Sequence, residues 1–422
     1  MTTIRPFRAL RYDTTRVDLS RVLAPPYDVV AADERHALYD RDPYNAVRLE
    51  LTRNVADEAG SDYTAIRETL ATWRAEGVLA LDDAPALYGL RQPYVAPDGT
   101  KGTREGFFAL LHLEDYARRI VRPHERTLAG PKADRLKVLR AARSNLSPVF
   151  LLYEDRDDSL PRHFASAFEA PIATVSDEAG TSQLARVDDS GAVRAVSDFL
   201  AEHPVVIADG HHRYETALAY RDACRVPDGG ADKDGPHEWL LAYFANAFAP
   251  GCLLLPIHRL LLKGAPPTEA AWRERLRGWD QQGVDVPSAD AIPELLAQHL
   301  EPLAGRHAFA ADDASGRLRI FSRPRAPQDD LAVRIIHSEV IEGVFGLDEE
   351  AVRGGAIAYP KSAVQTARDL RAGHGSVALY LNALTADDVF RVTEAGEVMP
   401  QKSTFFYPKL PTGLVLRLLE ES

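Results

Sequence analysis

Residues 205–220 read VVIADGHHRYETALAY, and the fold is decided there. Val205, Val206, Ile207 and Ala208 form a short apolar run of the kind that makes a buried strand. The chain then turns through Asp209-Gly210. From Tyr214 onward, Ala217, Leu218 and Tyr220 fall where the inner face of a helix requires them. A helix opened directly by such a turn leaves backbone N–H groups pointing beyond the strand end, and those groups with the helix dipole favour an anion. His211, His212 and Arg213 add charge-assisted donors for phosphate or carboxylate at the same turn. Packing alone gives no reason for five consecutive polar or glycine positions after a buried strand.

The 422 residues are enough for two or three domains. A composition of 45% hydrophobic and 27% charged residues is that of a chain able to bury a sizeable core. A formal charge of −12 argues against a nucleic-acid binder that relies on a broad positive field. Cys224 and Cys252 are too few for a disulfide framework and read as free thiols in a reducing compartment. No run approaches the roughly 20 apolar residues needed to span a bilayer. The opening MTTIRPFRAL lacks an apolar leader. The expectation is a cytoplasmic protein without membrane contact, for which a homodimer is allowed.

Outward from the central stretch, the pattern predicts an α+β fold, mixed sheets with flanking helices. Four regions are expected. Residues 1–120 form an N-terminal α+β region, 121–262 carry the central motifs, 263–350 form a supporting subdomain, and 351–422 return to the site. Pro25-Pro26 present Tyr27 and Asp28 at a sharp turn. AVRLEL at 46–51 alternates as a strand does, 61–76 reads as an amphipathic helix, and Pro97-Asp98-Gly99 marks a hairpin. His124-Glu125-Arg126-Thr127 precedes Gly130-Pro131-Lys132 on a loop. The helix at about 133–142 then carries Arg135, Lys137, Arg140 and Arg143, read as a mainly solvated basic face, with Leu136 and Leu139 inward. Asn145 and Ser147 precede a strand at 148–153. The polar loop 226–237 reads as a mobile surface segment, a plain disordered loop in preference to a lid. Gln401, Lys402, Ser403 and Thr404 form a polar turn; Lys402 and, after it in preference, Lys409 are candidate phosphate contacts against the alternative of solvated lysines.

Phosphoryl transfer asks for positive donors, a carboxylate to hold Mg²⁺ or take a proton, and a shaped site. His211, His212, Arg213, Arg126 and Lys132 supply donors. Asp28, Glu125, Asp209 and Glu215 supply carboxylates. No GxxxxGK[ST] loop and no protein-kinase motif occurs. A metal site is weakly signalled, because adjacent residues at a turn diverge and no HExxH or Cys/His spacing is present. Nucleophilic hydrolysis lacks a GxSxG elbow.

PPYDVV, NAVRLEL, HERTLAGPKADRL, NLSPVF, ADGHHRYETAL and MPQKSTFFYPKLPTGL together resemble the bacterial and archaeal family catalogued as domain of unknown function 1015. Asp209-Gly210-His211-His212-Arg213 is similar, more distantly, to the Asp-Gly-His-His-Arg run of free-serine kinases of the ParB/sulfiredoxin superfamily. That resemblance implies a ParB/sulfiredoxin-like nucleotide-binding core with additional α/β subdomains. It further implies a kinase using ATP or ADP with Mg²⁺ on a small hydroxyl metabolite, with L-serine the best guess. Under this reading Glu125, His124, Asp209 and His212 are catalytic. Gly210, His211, Arg213, Arg126, Lys132 and Lys402 bind the nucleotide phosphates, Tyr27, Asp28, Asn145 and Glu215 bind substrate, and Asp209 is the candidate Mg²⁺ ligand. Glu125, Glu50 and Asp28 compete as base. Arg213→Ala and His212→Ala are expected to abolish transfer with little change in melting temperature. The alternative is a regulator of ParB-like type that binds a nucleotide or metabolite without turnover.

Overall fold

The computed structural model describes residues 1–125, 129–225, 234–326, 330–400 and 402–421. Two sheets dominate. A nine-stranded sheet runs in the order Val121–Pro123, Val205–Asp209, Val149–Tyr153, Trp239–Asn246, Lys101–His112, Leu87–Val95, Gly180–Val187, Ala173–Asp177, with Ile4–Arg5 paired to Lys101–His112 off this path. A six-stranded sheet is assembled from Asp280–Asp285, Arg317–Arg323, His307–Asp312, Val377–Leu381, Arg259–Leu261 and Ile357–Ala358. The α+β class with mixed sheets follows directly. The strand Val205–Asp209 pairs parallel with Val121–Pro123 and antiparallel with Val149–Tyr153.

The apolar run buries both faces of its strand. Val206 and Ala208 join the core on one side, while Val205 and Ile207 join the core on the other, as a period of two demands. The helix Ser190–Glu202 covers the second face with Ala192, Val196 and Leu200. Beyond the turn, the helix His211–Cys224 sets Tyr214 and Ala217 into that same core.

Two local expectations are corrected. Residues 46–51 do not form a strand but carry a short helix, Val47–Glu50. Asn45 is the reason. Its side-chain amide donates to Arg21 O at 2.7 Å while its Oδ1 accepts from Val47 N–H at 3.1 Å, an Asx turn that competes with any ladder. The helix Ala129–Ala142 keeps Lys137 and Arg140 exposed, but Arg135, Val138 and Ala142 are its buried positions. Arg135 is buried because it meets Glu50 at 3.0 Å, a pair hidden from solvent on both sides.

Segments far apart in sequence close the molecule. The strand Phe405–Tyr407 pairs with Leu253–Leu255, Thr412 bridges to Ala24, Leu416 to Leu10, and the strand Arg417–Leu418 pairs with Ser144–Asn145. Cys224 and Cys252 are free. No helix among the described residues is long and apolar enough to cross a membrane.

Candidate functional site

The strand Val205–Asp209 shifts register between Ile207 and Asp209 against its antiparallel neighbour. A bulge of this kind re-aims the side chain that follows it. Asp209 ends this strand, where its Oδ2 accepts from Lys409 Nζ at 3.0 Å and its Oδ1 from Gly210 N–H at 3.0 Å. Arg213 stands 3.8 Å from the same carboxylate. Burial, the largest single influence on Asp209, pushes its pKa up. Lys409 and Arg213 together outweigh it and hold the carboxyl well below its ordinary value.

Gly210 has φ of 87°, a left-handed conformation that glycine adopts without strain, and a Cβ there would approach Arg213 Nε to 3.0 Å. The first backbone bond of the following helix runs from Tyr214 N–H to Gly210 O at 3.0 Å. The amides of His211, His212 and Arg213 lie ahead of it, the geometry of an anion cradle.

Around this turn lies a pocket of about 380 Å³ whose walls come from six stretches of the chain. Tyr27, Asp28 and Val29 contribute the N-terminal wall, His124 and Glu125 the second, and residues 208–213 the floor. Ile257 and Lys361 arrive from the six-stranded-sheet region, and Lys402, Thr404, Phe405 and Lys409 from the C-terminal segment. Ten of the residues expected from sequence are therefore gathered here: Tyr27, Asp28, His124, Glu125, Asp209, Gly210, His211, His212, Arg213 and Lys402.

His124 is 2% exposed and donates Nδ1–H to Ile207 O, while Thr404 Oγ1 meets its Nε2 at 2.7 Å. This network holds one neutral tautomer, and burial lowers the His124 pKa to about 4. Its backbone N–H donates to His211 Nε2 at 3.3 Å, and burial likewise keeps His211 neutral, its pKa well below the ordinary value. The two histidines shape the pocket as uncharged rings. Glu125 differs. Burial raises its pKa to about 7, partly offset by the backbone and charge of Lys402. A carboxyl poised there can both take and return a proton near neutrality.

The remaining expected residues lie elsewhere. Lys132 and Glu215 form an ion pair with each other, neither lining the pocket. Asn145 is buried, its Oδ1 accepting from Leu241 N–H at 3.1 Å and from Arg417 at 3.2 Å. Glu50 is bound by Arg135 and Ser147 and faces a smaller cavity of about 50 Å³ behind Arg213. Arg126, Thr127, Gln401 and most of the polar loop, residues 226–233, lie outside the described residues. Asp209 has both oxygens engaged, and no group of three or more metal-ligating side chains occurs among the described residues. The arrangement does not fit a protein-held metal ion.

Lys361 and Phe405 were missed from sequence, and Lys409 was ranked behind Lys402. A signal existed. The tripeptide Tyr-Pro-Lys occurs at 359–361 and again at 407–409, and both lysines enter the pocket.

The family model described as Protein of unknown function (DUF1015) matches residues 4–310. Among solved structures, the chain is similar to a free serine kinase variant in complex with ADP, with 13% identity, a TM-score of 0.36, and coverage of 72% of this chain and 90% of that one. It is also similar to a conserved hypothetical protein from Pyrococcus furiosus, with 12% identity, TM-score 0.35, and coverage of 72% and 94%. C-terminally truncated SbnI from Staphylococcus aureus gives 10% identity, TM-score 0.34, and coverage of 72% and 87%. No curated protein sequence matches the chain.

Proposed function

We propose, from the premise that this chain belongs to the DUF1015 family, that it is a nucleotide-dependent kinase acting on a small hydroxyl metabolite, L-serine first among candidates. One observation carries the reading. A glycine-opened helix start, cations from distant segments and a carboxyl with a pKa of about 7 share one pocket. The amides of residues 211–213 with Arg213 and Lys402 would hold the phosphates of ATP or ADP. Glu125 would take the proton from the acceptor hydroxyl as it attacks, and Tyr27 and Asp28 would orient that acceptor. Asp209, ionised between Lys409 and Arg213, fixes both cations rather than acting as base. Mg²⁺ would neutralise the polyphosphate, a role in which the ion is held largely by phosphate oxygens and water. No step is assigned to it.

The test is incubation of pure protein with ATP or ADP, Mg²⁺ and a panel of amino acids and polyols, with detection of a phosphorylated product. A product that forms with wild type and not with Lys402→Ala supports the kinase. Nucleotide binding without any product favours a binding-only regulator and removes the catalytic assignment.

A further inference from the structure

Lys361 lies outside the matched segment 4–310, yet its ammonium enters the same pocket. Its backbone is fixed on both sides. Pro360 O accepts from His258 N–H at 2.8 Å, and Ser362 caps the helix Ala363–Arg371 through Gln365 N–H at 3.3 Å. The side chain rests on Phe405, with Nζ 3.8 Å from the ring centroid, and Lys409 Nζ sits 4.9 Å from the same centroid.

Two like charges at one ring repel each other. Lys409 is balanced by Asp209 at 3.0 Å and Lys402 lies near Glu125, whereas Lys361 has no carboxylate within 4.0 Å among the described residues. The charged groups facing Lys361 are Lys409 and Lys402 on the basic side and Asp28 and Asp209 on the acidic side. Burial and the two lysines lower its pKa, so its charge is short of a counter-ion. The ring face attracts the ammonium but cannot neutralise it.

We propose that Lys361 is an oxyanion-binding side chain of this pocket, held in place by Phe405, and that it receives either a donor phosphate or the acceptor's carboxylate. This deepens the kinase reading and rests on it. Phe405 is a positioning residue that acts through Lys361.

The experiment is calorimetry of wild type, Lys361→Met and Phe405→Leu with pyrophosphate, with ADP, and with L-serine in the presence of ADP. Lys361→Met removes a charge-assisted hydrogen bond to the oxyanion and should weaken binding by about 10-fold or more. Weakening confined to pyrophosphate and ADP assigns the donor phosphate, and weakening confined to L-serine assigns the acceptor carboxylate. Phe405→Leu should weaken the same probe, and adding it to Lys361→Met should weaken it little further. Melting curves of the variants check that each is folded, since Lys361 is only half-buried. If wild type binds and Lys361→Met binds every probe equally well, the Lys361 assignment is overturned while the kinase reading stands. If wild type binds none of the probes, both are overturned.

Discussion

Glu125 is the residue whose titration should be visible in activity. Ionised above a pKa of about 7, it predicts a phosphorylation rate that rises with pH through neutrality. Glu125→Gln should flatten that rise and lower kcat by roughly 10²–10⁴-fold, measured as initial rate against pH. Stability runs the other way for this group. Its folded pKa lies above the ordinary 4.5, so its contribution is full below 4.5 and is lost as pH rises through about 7. His124 opposes it. With a folded pKa of about 4 against 6.5, it contributes stability above 6.5 that is lost as pH falls toward 4. Glu125→Gln removes one of two opposing slopes, so its melting temperature should fall more steeply than wild type on acidification from pH 6.5 to 4. Arg213 corrects an expectation. Its guanidinium donates to Pro148 O and is mostly buried, so Arg213→Ala strips a buried acceptor and leaves Asp209 with one fewer cation. We expect a loss of about 1–3 kcal/mol in denaturant unfolding rather than an unchanged protein. The Asp-Gly-His-His-Arg run was legible because polar residues after a buried strand break the packing pattern. Lys361 was legible only through the Tyr-Pro-Lys repeated at 359–361 and 407–409, since a lysine after proline otherwise looks like a solvated one.

At the scale of elements, the strand and helix around Gly210 were legible because their apolar periods, two and then about 3.6, change at the turn. The register shift at Ala208 and the Asx turn at Asn45 were not, since each depends on a partner strand or carbonyl supplied from elsewhere. The helix His211–Cys224 is tied to the sheet by Arg213, Arg221 and Tyr214. Tyr214, fully buried, donates its hydroxyl to Glu114 O at 2.7 Å and accepts from Glu114 N–H at 3.0 Å. Tyr214→Phe leaves both groups of Glu114 unpaired in the core, which should cost about 1–3 kcal/mol by chemical denaturation. Because the helix start also forms the floor of the pocket, the same variant should weaken nucleotide binding although the Tyr214 side chain does not line the pocket.

Across the whole molecule, composition and hydropathy conveyed a large α+β protein, but not which distant segments meet. Closure is set by the C-terminal segment, where buried Phe406 pairs with Leu254 and meets Phe150, Leu416 bridges to Leu10 and Arg417 pairs with Asn145. Deleting residues 399–422 removes this apolar cover along with Thr404, Phe405 and Lys409. The shortened protein should lose cooperative thermal unfolding in calorimetry rather than persist as a stable, inactive core. The Lys409–Asp209 ion pair, 200 residues apart in sequence, has a consequence during synthesis. At about 5–20 residues per second, a ribosome delivers the lysine roughly 10–40 s after the aspartate. Throughout that interval the nascent polypeptide carries Asp28, Glu125 and Asp209 with Arg213 but without Lys409, the closest cation to Asp209. Binding competence is thus acquired only once Lys409 has emerged, after the strands of the nine-stranded sheet, the last of which ends at Asn246.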